Sequence, residues 1–334
     1  MTYTVGSLIE ASDYNGFANA SANNINAVWS TGSGDLGWGQ TAITTVSAGG
    51  TVTATQWATL VANLATAGQQ TNSTLTSRTQ PVAGNTISIL ANVATDINTI
   101  TQNRGNAAAS GTTIGTFSGT TSKTTATGSG NAAWTITFTH TVTFPSANQA
   151  RYFFNAGGLV KMMFGKTSTG TDHDPDWNTL AGEVGNVFLS GHIRDTAATI
   201  AGTSYNGVTR LGGTGGTQTS IATTTGFYDL STTPVTLFQL NDDAGPYTGG
   251  FIRVQGSVNS NTTPTVLTLS TLWSDPGTSV PGATADISGG TAVSSPATAI
   301  GGATAPTTLV NLVPPSTTYL TDSWGTPTIA ASVA

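Results

Sequence analysis

Trp134-Thr135-Ile136-Thr137-Phe138-Thr139-His140-Thr141-Val142-Thr143-Phe144 alternates without a break. Successive side chains of a strand point to opposite faces, so Trp134, Ile136, Phe138, His140, Val142 and Phe144 share one face and threonine fills the other. The run is the clearest periodic signal in the chain and makes its surroundings β.

Outward from it, further strands are predicted at 234–240, 250–258 and 264–273. Arg151-Tyr152-Phe153-Phe154 and Leu159 to Phe164 flank Asn155-Ala156-Gly157-Gly158 and read as a hairpin around an Asn/Gly loop. Asp176 to Val187 fits a short helix with Trp177 and Leu180 inward. Residues 109–274 are therefore expected to form a β-sandwich-like domain. From about Asp275 to Pro315 the chain is low in complexity and rich in Gly, Pro, Ala, Ser and Thr. Residues 275–334 are expected to be an extended segment, either a linker or a strap over a neighbouring subunit.

Upstream the period changes to that of helices. Ser12 can cap a helix carrying Tyr14, Phe17, Ala18, Ser21, Ile25 and Val28 near one face, ended by Thr31-Gly32-Ser33-Gly34. A second helix is expected from Thr55, with Trp57, Leu60, Val61 and Leu64 as its stripe, and a third over Thr86 to Gln102. Ile9-Glu10-Ala11-Ser12-Asp13-Tyr14 aligns with Val52-Thr53-Ala54-Thr55-Gln56-Trp57, which suggests a duplicated helical module. Residues 1–108 thus read as short helices with Gly-rich loops, and the whole chain as α+β.

Composition limits the function classes. Charged residues are 7% of 334, against roughly 25% in ordinary globular proteins. Thr makes up about a fifth of the chain and Gly 41 residues. Disorder normally combines low hydrophobicity with high net charge. Here 37% of residues are hydrophobic and seven Trp are spread along the chain, so a β-rich homo-oligomer is expected. The net charge of −6, with nine Lys and Arg scattered singly, argues against nucleic-acid binding. Without Cys there are no disulfides and no thiolate sites. No secretory signal and no membrane span are expected.

Candidate chemistry is sparse. Asp172-His173-Asp174-Pro175-Asp176 could ligate calcium or manganese through His173, Asp174 and Asp176, but a polar turn leading into a helix accounts for it better. Asn241-Asp242-Asp243-Ala244-Gly245 reads as a turn before a cation loop. Gly212-Gly213-Thr214-Gly215-Gly216-Thr217 lacks the Lys of a phosphate loop and reads as a flexible surface loop. His140 reads as a hydrogen-bonded core or inter-subunit residue rather than a ligand; His173 and His192 stand apart from it. Trp273 alternates with Leu267 and Leu269 as a core residue, whereas Trp324 and Tyr247 are candidate sugar-stacking aromatics. No catalytic residue, cofactor or metal is expected, and the chain reads as a non-enzyme.

Three stretches resemble one family. Asp13-Tyr14-Asn15 followed by Val28 to Gln40, then Val46 to Leu60, then Ala150-Arg151-Tyr152-Phe153-Phe154-Asn155-Ala156-Gly157-Gly158, look like signatures of virion structural proteins of tailed, cyanophage-like bacteriophages. They occur in the family's order and cover at most a third of the chain. Trp38, and Lys161-Met162-Met163 in place of a more polar strand, depart from its usual pattern. The resemblance implies a structural component of the particle, assembled in the host cytoplasm and attached to tail, baseplate or neck proteins. By analogy with phage fibres it implies a homotrimer. A receptor-binding tail protein that recognises host glycans is the alternative, and a bacterial surface-layer or adhesin-like protein the second alternative.

Overall fold

The computed structural model describes residues 10–21, 24–83, 92–106, 118–123, 134–166, 174–191, 198–200, 202–216, 219–242, 249–275 and 306–334. The fold is mixed α+β.

Four helices come first: α1 Ala11–Ala18, α2 Ile25–Trp29, α3 Ala54–Gln70 and α4 Val93–Gln102. The single helix expected from Ser12 to Val28 is two. At the break, the Asn19 side chain accepts the Ser21 N–H at 2.8 Å, a local bond that competes with helical pairing. The caps lie two residues earlier than expected in both copies of the duplicated motif. Thr53, not Thr55, caps α3: its hydroxyl accepts the Gln56 N–H, and Gln56 Oε1 accepts the Thr53 N–H at 2.8 Å. Correspondingly Glu10, not Ser12, starts α1, and its N–H donates to Asp13 Oδ2 at 2.9 Å. The aromatics of the two copies, Tyr14 and Trp57, meet edge-on at 5.2 Å. The third expected helix starts at Val93, and residues 84–91 lie outside the described residues.

The strands are β1 Ser118–Lys123, β2 Trp134–Thr143, β3 Leu159–Gly165, β4 Asn186–Leu189, β5 Ala198–Ile200, β6 Thr203–Tyr205, β7 Val208–Leu211, β8 Thr219–Ile221, β9 Val235–Asn241, β10 Phe251–Val258, β11 Val266–Asp275, β12 Thr307–Val313 and β13 Thr328–Val333. They form a five-stranded sheet in the order β1-β12-β3-β4-β7, a six-stranded sheet β13-β2-β11-β10-β9-β8, and the β5-β6 pair. All described pairings are antiparallel. The two sheets adjoin at both margins: β1 runs beside β13, and Val208 of β7 donates its N–H to the Ala222 carbonyl just past β8.

Two helices sit among the strands, α5 Ala147–Asn155 and α6 Asp174–Val184. Helix α5 corrects the hairpin expected at 151–164. Ser146 caps it by accepting the Gln149 N–H. Gly157 (φ +94°) then ends it, with Gly158 N–H bonded to Phe153 O and Gly157 N–H to Phe154 O. The Asn/Gly loop is thus a helix C-cap rather than a hairpin turn. The Ser146 cap and the Gly157 stop bracket the run Tyr152-Phe153-Phe154 as a helix.

The tail expected over 275–334 also differs. Residues 276–305 lie outside the described residues, but β12 pairs between β1 and β3, and β13 pairs with β2. The Pro/Gly/Ala-rich surroundings obscure a short strand in which Val310 and Leu312 are buried.

A main core joins the helices and the two large sheets, and a second, smaller cluster of Leu159, Phe188, Ile200, Tyr205 and Val313 packs at the β5-β6 pair. Tyr14, Trp57 and Ile97 from the helices, Phe138 and Trp273 from the six-stranded sheet, and Met162 and Leu312 from the five-stranded sheet belong to one buried cluster. Trp273 reaches across to donate its indole N–H to Thr308 Oγ1 at 3.2 Å, tying the two sheets. Its ring lies 5.9 Å from that of Trp177 on α6.

Candidate functional site

The three stretches that carry the family resemblance meet in space. Their meeting point is built from backbone carbonyls that a few long side chains gather together. Trp38 is fully buried and divides its indole N–H between the carbonyls of Asn155 (3.1 Å) and Arg104 (3.2 Å). Asn155 is also fully buried: its Nδ2 donates to Gly37 O at 3.0 Å and its Oδ1 accepts the Tyr228 hydroxyl at 2.5 Å. Tyr228 is half-buried as a whole but its hydroxyl points inward, and burial pushes its pKa far up.

Two arginines close the loop between Thr31 and Gln40. Arg151 donates to the carbonyls of Thr31, Gly34 and Leu36 at 2.8–3.0 Å. Five N–H donors in a planar fork are what three converging carbonyls require. Arg104 pairs with Asp35 at 2.6 Å and donates to Thr101 O at 2.7 Å, fixing the loop to the end of α4. Glycine is needed at two points. A Cβ on Gly37 would lie 2.2 Å from Thr31 O, and one on Gly39 would lie 2.4 Å from the Tyr152 ring.

Three carboxamides then repeat one device. Asn15 takes the N–H (2.9 Å) and carbonyl (2.6 Å) of Val46; Asn26 does the same for Ile43 at 2.9 and 2.8 Å; Gln40 does so for Thr321 at 2.8 and 2.9 Å. Each side chain acts as a strand partner for a stretch of extended backbone, satisfying both groups of one residue. Ser323 Oγ adds a 2.5 Å bond to Trp38 O. The joint therefore connects helices α1, α2 and α4, helix α5 and the chain between β12 and β13.

Such an arrangement holds segments in place. It leaves no nucleophile beside a base and no convergent carboxylates. No group of three or more potential metal ligands occurs among the described residues. No helix of the described residues is long and apolar enough to cross a membrane.

The other candidates fall as follows. His140 is fully buried between Leu269 and Ala331 in register. Asp174 opens α6, while Asp172, His173, His192, Tyr247, Thr217 and 243–245 lie outside the described residues. The Gly-rich loop lies at the surface, with Gly212, Thr214 and Gly215 exposed, and is held at one end. Arg210 donates to the carbonyls of Glu183, Val184 and Gly215, and Gly213 packs so tightly on the end of α6 that a Cβ would lie 2.1 Å from Glu183 O. Trp273 is core. Trp324 is nearly buried and borders an open cleft of about 510 Å³ together with Phe153, Leu312, Asp322 and Thr326. Neither Lys nor Arg lines this cleft, and Asp322 Oδ1 accepts the Gly325 N–H.

Sequence reasoning missed the joint's polar residues Asn26, Gln40, Arg104 and Asn155. Most of their partners are remote in sequence, and many are backbone groups, which leave no local pattern. Comparison with protein-family models, with curated proteins and with solved structures finds no match to this chain.

Proposed function

We propose that the chain is a structural component of a tailed-phage particle, working by assembly rather than catalysis as part of a homo-oligomeric appendage on the tail, baseplate or neck. The observation that carries this reading is the joint. The first and third stretches resembling phage virion proteins, far apart in sequence, meet at Trp38 and Asn155, the second is tied to the first through Asn15 and Val46, and most of the polar groups placed there bond to backbone. Residues that recur as a family signature for architectural reasons would behave in this way.

On this reading the helical module attaches to the particle and the two sheets form a β-sandwich-like projecting body. The low charge of the chain suits surfaces covered by neighbours. The three-fold symmetry of phage fibres enters by analogy alone. Antibodies raised against the chain should label intact particles of the virus that encodes it. Labelling of a bacterial envelope in uninfected cells would overturn the proposal.

A receptor-binding role is the second reading, and the cleft beside Trp324 favours it. An aromatic edge, one carboxylate and threonine hydroxyls form the kind of mixed lining that suits an uncharged sugar. Purified protein that adsorbs to host cells, and loses this with Trp324→Ala, would establish that role.

A further inference from the structure

The six-stranded sheet has an outward face that the core does not use. On β2 this face is Thr135, Thr137, Thr139, Thr141 and Thr143, half-buried to exposed. Register extends it across the neighbours: Ser332 of β13 pairs with Thr139, Thr139 with Ser270 of β11, and Ser270 with Gln255 of β10. Among the described outward residues of this sheet the only charge is Arg253, whose guanidinium lies 5.1 Å from the Phe251 ring centre.

We infer that this face packs against the same face of a second copy of the chain, about a two-fold axis near Ser270. The inference rests on the homo-oligomeric reading above and names its contact. Three physical points select a second copy as the occupant. A hydroxyl both donates and accepts, so a Thr/Ser surface is complementary to itself, which a charged surface is not. A nearly charge-free face gives no electrostatic handle to an acidic or basic partner. Its size also fits. Five strands about 4.8 Å apart and up to about 34 Å long cover roughly 600–700 Å² in projection. Standard interfaces bury about 600–1,000 Å² per partner, so the face falls at the lower end of that range. Short side chains further allow two sheets to stack at about 10 Å.

A two-fold contact gives an even number of copies, in contrast to the three-fold of the fibre analogy. The test uses the full chain. Ser270→Lys places like charges at the axis, whereas an equimolar mixture with Ser270→Glu restores attraction. Mass photometry should give dimers or higher even multiples of the wild type, monomers of either variant alone, and paired species in the mixture. Circular dichroism should match wild type throughout. Ser270→Cys, the sole cysteine in an otherwise Cys-free chain, should form a covalent dimer on mild oxidation, and Val82→Cys at an exposed remote position should not. Wild-type mass retained by folded Ser270→Lys overturns the contact and leaves the oligomer standing. A trimer that Ser270→Cys does not cross-link does the same. A wild-type chain monomeric at all concentrations overturns the contact and the oligomeric reading together.

Discussion

Trp38 donates its indole N–H to the carbonyl of Asn155, 117 residues away, at 3.1 Å, and Asn155 returns a bond from its side-chain amide to Gly37 beside it. The two residues thus lock the loop before α3 to the end of α5. Trp38→Phe keeps much of the ring but leaves two buried carbonyls without a donor. It should lower stability by about 1–3 kcal/mol, and Trp38→Ala by about 3–5 kcal/mol. Urea unfolding monitored at the remaining tryptophans measures both.

Gln40 tests the carboxamide device. Gln40→Ala should cost about 1–3 kcal/mol, because the N–H and carbonyl of Thr321 both lose a partner. Gln40→Glu keeps the acceptor for the Thr321 N–H but sets an oxygen against its carbonyl. At neutral pH it should be at least as damaging as Gln40→Ala, although it is nearly isosteric. Thermal melts of the two variants separate this from a pure packing role.

Arg78 and Asp96 form an ion pair with both side chains 6% exposed, and Asp96 also accepts from the Thr76 N–H and hydroxyl. Removing one partner strands a buried charge. Asp96→Ala should therefore destabilise by about 3–5 kcal/mol, far more than removal of an exposed pair. Replacing both partners with apolar residues should recover part of the loss. A double-mutant cycle in denaturant measures the coupling.

Tyr14, Tyr205 and Tyr228 all have pKa values raised by burial. The folded state therefore holds these protons more tightly than the unfolded chain. The stability they contribute is fully present below the ordinary tyrosine value near 10 and is lost as pH rises from there towards the folded values. Each such group should lower stability by about 1.4 kcal/mol per pH unit within that window. Tyr228→Phe should flatten the decline while costing stability at neutral pH through the loss of its bond to Asn155. Denaturant titrations between pH 8 and 11 give both slopes.

The strands with clean alternation were legible from sequence, because one buried face imposes a period of two. β2, β10 and β11 fall within a few residues of expectation. Helix α5 was not legible, since an Asn/Gly loop ends a helix as readily as it turns a hairpin. β12 was hidden by the composition of the chain before it. The joint was invisible for another reason: Asn15, Asn26 and Gln40 each recognise backbone 17 to 281 residues away. Nothing in local spacing marks such a partner. The resemblance located the stretches without giving the reason they belong together.

The claim that most needs testing is that this chain belongs to a virus particle as a building element. Quantitative mass spectrometry of density-purified particles tests it directly. The account predicts the chain in a fixed number of copies, several per particle and unchanged by washing. Its absence from purified particles, with the protein confined to lysate or cell envelope, would contradict it.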